Sequence, residues 1–241
     1  MAYHKSVRLG ENFHAYVWQG RGNNCNTSLL AGALRGNKPH VLVDPGHVRN
    51  ELGEPCFDSL VQTVEGDGFK MEEIGMVIAT HCHPDHFESV DLVVKRGGAL
   101  LAMSKEEHEF YQDMGKKYFG AVGLKMAETD PYFFLKEGDL SLGAADKLDI
   151  KVFLSPGHSP GSLCLYLEGE KILISGDVIF FGSVGRTDFP GGSASVLKKS
   201  IDRLSQLDVE YLVPGHSTEF GSIIEGKDKV ERNFQMVKMF F

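Results

Sequence analysis

The segment Thr80-His81-Cys82-His83-Pro84-Asp85-His86 concentrates three imidazoles and a carboxylate directly after the apolar run Met76-Val77-Ile78-Ala79. In extended backbone the side chains at i and i+2 share a face, so His81 and His83 point into one cavity at a strand's end. Cys82, between them, faces the other way as buried apolar filler. Pro84 suits the first turn of a helix, which places Asp85 and His86 at the helix tip beside the same cavity. Neutral imidazole and carboxylate oxygen are ligands for zinc, iron or manganese. A cluster this dense exceeds what one tetrahedral ion takes from its neighbourhood, which points to two metal ions.

Further ligands have to come from elsewhere in the chain. Three times an apolar strand runs into Pro-Gly-His, at Pro45-Gly46-His47, Pro156-Gly157-His158 and Pro214-Gly215-His216. A fourth strand, Ile172-Leu173-Ile174, runs into Ser175-Gly176-Asp177. Such turns end a strand and present the next side chain at its carboxyl edge, where sheet-based sites are commonly built. Asp177 offers two oxygens there, enough to span two metals.

Hydrophobic periodicity supplies the elements that position these residues. Strands are predicted at Ala15-Tyr16-Val17-Trp18, Thr27-Ser28-Leu29-Leu30-Ala31 and Val41-Leu42-Val43. The turn-rich Gly20-Arg21-Gly22-Asn23-Asn24 and Arg35-Gly36-Asn37-Lys38-Pro39 between them give antiparallel hairpins. Phe57, Leu60, Val61 and Val64 make a helical stripe ending at Gly66-Asp67-Gly68. Beyond the histidine cluster, Phe87, Val90 and Val94 continue one helix, whose basic end Lys95-Arg96 meets Gly97-Gly98. Leu100-Leu101-Ala102 is a short strand, and Ser104-x-x-Glu107 has the spacing of a capping box. The helix it opens carries Phe110, Tyr111, Met114, Lys116, Lys117, Tyr118 and Phe119. That mixture reads as a half-buried helix with a solvated edge, or as a lid over the site.

The second half alternates strands again, at Val152-Phe153-Leu154, Leu163-Cys164-Leu165-Tyr166-Leu167 and Lys171-Ile172-Leu173-Ile174. Val196, Leu197, Ile201 and Leu204 form a helical stripe behind Ser193 as N-cap, and Tyr211-Leu212-Val213 is a last strand. Val230, Phe234, Val237 and Phe241 recur at helical spacing, so the final segment is expected to dock. No linker or low-complexity stretch divides the chain, which predicts one domain over residues 1–241.

Composition excludes several classes. Apolar and charged fractions of 42% and 24% are those of a folded globular chain rather than a disordered or fibrous one. With 33 acidic against 25 basic residues, the net charge of −8 disfavours a nucleic-acid partner. No apolar run reaches the roughly 20 residues of a spanning helix, and the opening residues lead into no signal core, so a cytoplasmic protein without a membrane partner is expected. The four cysteines form no C-x-x-C pair, which argues against a disulfide framework or a thiolate zinc knuckle.

The series H-x-H-x-D-H, P-G-H-S, S-G-D and P-G-H resembles the metallo-β-lactamase-fold hydrolases over nearly the whole chain. The resemblance implies an α+β fold, a four-layer αββα sandwich. It implies one metal at His81, His83 and His158, a second at Asp85, His86 and His216, and Asp177 as the bridge. It assigns no metal to His47, expected at the site mouth, and makes Asp44 a structural residue. Gly185-Arg186-Thr187-Asp188-Phe189-Pro190-Gly191-Gly192 looks like a segment of compact bacterial relatives of hydroxyacylglutathione hydrolase (glyoxalase II), and persulfide dioxygenases carry a similar G-R-T-D-F. Arg186 and Asp188 read as an ion pair bracing the loop, or as a substrate contact.

The chemistry implied is hydrolysis of a small acyl thioester with two divalent ions, zinc first, iron or manganese as alternatives. Coordination lowers the pKa of water from 15.7 to about 7, worth roughly 12 kcal/mol toward the nucleophile. Asp85 is a candidate catalytic residue as well as a ligand, orienting the resulting hydroxide through a hydrogen bond. The rival reading is a mononuclear non-haem iron dioxygenase acting on a persulfide, with His81, His158 and Asp177 as its ligands. A two-metal nuclease and a non-catalytic metal protein fit less well, given the acidic balance and a ligand set that leaves room for solvent.

Overall fold

The structure is a computed structural model that describes residues 2–142 and 148–241. The first sheet contains β1 (His4–Arg8), β2 (Phe13–Trp18), β3 (Thr27–Leu30), β4 (His40–Val43), β5 (Ile74–Ile78), β6 (Leu100–Ser104) and β7 (Phe133–Leu135), hydrogen-bonded in that order. The second contains β8 (Gly138–Leu140), β9 (Ile150–Leu154), β10 (Leu163–Leu167), β11 (Ile172–Gly176), β14 (Tyr211–Pro214) and β15 (Ile224–Glu225), also neighbours in that order. A short hairpin of β12 (Ile179–Phe180) and β13 (Ser183–Val184) stands apart. The helices are α1 (Cys56–Gly66), α2 (Pro84–Phe87), α3 (Val90–Gly97), α4 (Lys105–Phe110), α5 (Lys116–Ala121), α6 (Ala194–Leu204) and α7 (Lys227–Val237).

Single-residue alternation along the strands builds three apolar layers. Val41, Val43, Met76 and Ile78 of the first sheet face Val152, Leu163, Leu165, Ile172, Ile174 and Val213 of the second, forming the core between the sheets. The intervening residues turn outward, Leu42 and Val77 onto α1 and α3, Cys164, Leu173 and Leu212 onto α6 and α7. A strand apolar on both faces has to be covered on both, and the αββα sandwich follows.

Several expectations are met and several are corrected. The first hairpins form in register, with Ala15 opposite Ser28 and Leu29 opposite Leu42. Cys82 is buried in the layer beneath α1 and α3, where burial and then the neighbouring Glu107 push its thiol pKa well up. The helix expected from Phe87 through Val94 is instead two helices. The backbone N–H of Ser89 donates to Gly46 O at 2.9 Å rather than into a helical ladder, and Glu88 turns its carboxylate to His47. Ser193 occupies the cap of α6, but its hydroxyl makes no capping bond. Val230, Phe234 and Val237 dock as expected, whereas Phe241 is exposed.

β4 and β5 run parallel, as do β11 and β14, and β9 and β11 both run antiparallel to β10. The carboxyl ends of β5, β9, β11 and β14 therefore come out along one edge of the sandwich. Two cross-sheet bonds clamp that edge, Leu163 N–H to Thr80 O at 2.8 Å and Asn26 N–H to Gly215 O at 2.6 Å.

Candidate metal centre

All seven expected ligands meet at this edge. Their ligating atoms form three close groups, His81 with His83 and His158, His81 with His86 and Asp177, and Asp85 with His86 and His216. His81 and His83 extend beyond β5, while Pro84 at the first position of α2 sets Asp85 and His86 on the opening turn. Two glycines make room. A Cβ on Gly215 would lie 2.2 Å from Asp177 Oδ1, and Gly157, at φ +133°, packs where a Cβ would meet Leu197 N at 2.3 Å. The Pro-Gly-His turns thus work through close approach as well as turn geometry.

The hydrogen bonds around the rings decide which nitrogens carry protons. His86 Nδ1 lies 2.9 Å from Asp44 Oδ2, and His158 Nδ1 lies 2.7 Å from the Arg186 carbonyl. Both partners only accept, so both Nδ1 atoms donate, and in the neutral ring each Nε2 is left as a lone pair. Thr80 Oγ donates to Asp44 Oδ2 and so accepts from His81 Nδ1, 3.1 Å away, with the same result for His81.

The candidate ligand atoms converge on one another. His158 Nε2 stands 2.8 Å from His83 Nδ1, His86 Nε2 stands 3.1 Å from His216 Nε2, and His86 Nε2 stands 3.0 Å from Asp177 Oδ1. His81 Nε2 and Asp177 Oδ1 are buried without a hydrogen-bond partner. Ring nitrogens and carboxylate oxygens crowded to such distances need protons or a cation between them, and the donor set fits divalent metal. Asp177 reaches both sides, with Oδ2 3.5 Å from His158 Nε2 and also 3.5 Å from His216 Nε2.

Without metal, the electrostatics divide the centre in two. Burial, and then the nearby imidazoles, hold His81 well below the ordinary histidine range, and burial brings His83 down to about 3. Burial also opposes charge on His86, but Asp177 and Asp44 outweigh it and raise its pKa well above the ordinary value. His216 is likewise raised, Asp177 and Asp85 overcoming burial. Burial works against the charge on Asp85 and Asp177, yet the surrounding histidines hold both carboxyls below their usual range.

A cavity of about 560 Å³ opens over the centre. One wall is apolar, formed by Tyr118, Phe119, Val122, Leu124, Phe180 and Phe189, and the other carries Asn23, His47 and Glu51. The chain around α5, expected as a half-buried helix or a lid, therefore contributes to the cavity wall. His47 is at the mouth, outside all three ligand groups, with Nδ1 2.8 Å from Glu88 Oε2. Arg186 forms a two-pronged ion pair with Asp188 at 2.6 and 2.9 Å and stacks on Phe189, so it braces the loop while bordering the cavity.

Sequence reasoning missed the residues that hold the ligands. Asn23 Nδ2 donates to Asp85 Oδ2 at 2.7 Å, and Asn26 Nδ2 donates to Pro214 O at 3.0 Å. Asn23 reads in sequence as a turn residue and Asn26 as nothing in particular, because their partners are distant in the chain.

Two sheets closed by helices on both sides, with histidines and aspartates at one sheet edge, define a metallo-hydrolase architecture. The chain belongs to the metallo-beta-lactamase superfamily, whose model matches residues 20–216. Its relatives include uncharacterized proteins. Acyl-coenzyme A thioesterase MBLAC2 of Homo sapiens is 28% identical over 238 residues, covering 91% of this chain and 82% of that protein. Hydroxyacylglutathione hydrolase GloC of Haemophilus influenzae is 27% identical over 185 residues, covering 75% and 81%. Among solved structures, TTHA1623 in a di-iron-bound form superposes with a TM-score of 0.67 at 27% identity, covering 87% of this chain and 93% of that one. The fold binds divalent metals, and the residues gathered here are its candidate ligands. No helix among the described residues is long and apolar enough to cross a membrane.

Proposed function

We propose that the protein is a binuclear metal-dependent hydrolase of small acyl thioesters, 2-hydroxyacyl thioesters first among them. The observation that carries this reading is Asp177 placed between two ligand groups at the floor of a half-apolar cavity. Two ions, zinc first and iron or manganese as alternatives, would be held by His81, His83 and His158 and by Asp85, His86 and His216, with Asp177 shared. When bound, they supply a water acidified toward hydroxide and a Lewis acid for the carbonyl oxygen. GloC and MBLAC2 add support, since both act on thioesters and both align over three quarters or more of the chain.

The chain's own residues do the rest. Asp85, oriented by Asn23, accepts a hydrogen bond from the attacking water and aims it at the carbonyl. The apolar wall packs against the acyl and thiol chains and excludes bulk water, which strengthens every charge interaction on the cavity floor. A thiolate departs without a general acid, because an ordinary thiol ionises near pH 8.5. In this reading the enzyme is cytoplasmic and needs neither a nucleic-acid nor a membrane partner.

The test sets a free-thiol assay beside an oxygen electrode, on zinc-loaded and iron-loaded protein. Cleavage of a lactoyl thioester at equal rates with and without oxygen, supported by zinc, is the expected result. Oxygen uptake with glutathione persulfide, confined to iron-loaded protein and with negligible thioester cleavage, would replace the hydrolase with the dioxygenase.

A further inference from the structure

Glu107 is fully buried, yet it belongs to none of the ligand groups and does not line the cavity over them. Its spacing from Ser104 predicts a capping box, and the structure keeps only half of one. Ser104 Oγ accepts from Glu107 N–H at 3.1 Å, but the Glu107 carboxylate does not return to the Ser104 backbone. It turns inward. Oε1 accepts the Cys82 N–H at 2.9 Å, and Oε2 accepts the Ser159 hydroxyl at 2.7 Å and the Gly161 N–H at 2.8 Å.

Those partners are not arbitrary. Cys82 lies between His81 and His83, Ser159 follows His158, and the two loops leave different sheets. One carboxylate thus ties together the loops that carry all three members of the first ligand group. The packing around it is close, since a Cβ on Gly161 would sit 2.2 Å from Glu107 N. The second group is held by other means. Cys25 N–H bonds Asp85 O at 3.2 Å, Asn26 N–H bonds Gly215 O at 2.6 Å, and Asn23 bonds the Asp85 carboxylate. None of these residues hydrogen-bonds Glu107.

We propose that Glu107 is the positioning residue of the three-histidine site, setting the separation of His81 and His83 from His158 and thereby the metal affinity of that site alone. Bonds from N–H and O–H groups to a buried carboxylate are short and strong, and they replace water that the loops cannot reach. Metal ligation tolerates errors of only about 0.2 Å in ligand distance, so a small relaxation between the loops is felt as lost affinity. The inference rests on the two-site reading above.

Titration of metal-free protein with cobalt(II), followed by visible absorption and equilibrium dialysis, tests it. His158→Ala and His216→Ala identify which binding class belongs to which group. In Glu107→Gln the class removed by His158→Ala is expected to weaken about 10- to 100-fold, the range for losing an outer-shell partner, while the class removed by His216→Ala is unchanged. Ser159→Ala, which deletes one bond of the three, should show the same selectivity to a smaller degree and serves if the glutamine variant does not fold. Equal weakening of both classes, or a folded variant with neither weakened, would overturn the proposal. Wild-type protein that takes up a single cobalt ion would instead sink the two-site reading. Glu107→Gln would then still be expected to weaken that ion.

Discussion

Asp44 Oδ2 lies 2.9 Å from His86 Nδ1, and both side chains are buried. The same carboxylate accepts from the Thr80 backbone N–H at 2.7 Å and the Thr80 hydroxyl at 2.6 Å, and its own backbone has φ +54°. Asp44 therefore orients His86 directly and His81 through Thr80, without reaching the metal positions itself. Asp44→Ala strands three buried donors, which at about 1–3 kcal/mol each is enough to threaten folding. Asp44→Asn tolerates the positive φ and keeps the shape. Its amide N–H₂ meets His86 Nδ1, favouring the tautomer with the proton on Nε2, where a metal must bind. The asparagine variant is expected to fold, by circular dichroism, and to lose about 10- to 100-fold in metal affinity at the second site. Full metal retention in folded Asp44→Asn would show that the tautomer is set elsewhere.

Asp177 faces both ligand groups, so one substitution reports on both. Wild-type protein should hold close to two transition-metal ions per chain by elemental analysis. Asp177→Asn is expected to lower both occupancies together, because it removes the charge nearest to two cations. Gly215→Ala should mimic it in a milder form, since the added Cβ lands 2.2 Å from Asp177 Oδ1. Loss of one ion only in Asp177→Asn would mean that the carboxylate serves a single metal.

His47 is the test of specificity in the ligand assignment. It shares the Pro-Gly-His form with two candidate ligands but is tied to Glu88 at the cavity mouth. His47→Ala is expected to leave metal content at the wild-type value and to change the proposed thioesterase activity modestly, chiefly in KM. Metal loss in this variant would show that the ligand set has been drawn wrongly.

The two halves of the centre should load differently with pH. His81 and His83 lie below the ordinary histidine range and need release no proton near neutrality. His86 and His216 are raised, so protons compete with metal more strongly at that side. Proton competition grows as pH falls, and the second site should empty first on acidification from neutral pH. The same raised values give metal-free protein a stabilising contribution that is complete below about pH 6.5 and is lost as pH rises through the folded-state values. Calorimetry in buffers of different ionisation enthalpy would count the released protons. Simultaneous loss of both ions, with equal proton release, would contradict the division.

Much of the site was readable because its information is local. The i, i+2 spacing of His81 and His83, the proline that starts α2, and the repeated strand-Pro-Gly-His pattern each act within a few residues, and periodicity placed most of the strands and helices around them. The ligand set of seven came out of those patterns together with the family resemblance, and the structure brings all seven to one edge. What tertiary structure alone decided is which groups hold the ligands in place. Glu107 has the spacing of a cap but reaches Cys82 and Ser159, because those loops present buried donors that its carboxylate satisfies. Glu88 interrupts a helix that periodicity would continue, because Ser89 finds its acceptor in Gly46, more than forty residues away in sequence. Asn23 and Asn26 look like ordinary polar residues until the fold brings Asp85 alongside the first and Pro214 and Gly215 alongside the second. Hydrogen bonds between segments far apart in the chain leave no periodic trace in the sequence, and they are what set the tautomers and spacing on which the centre depends.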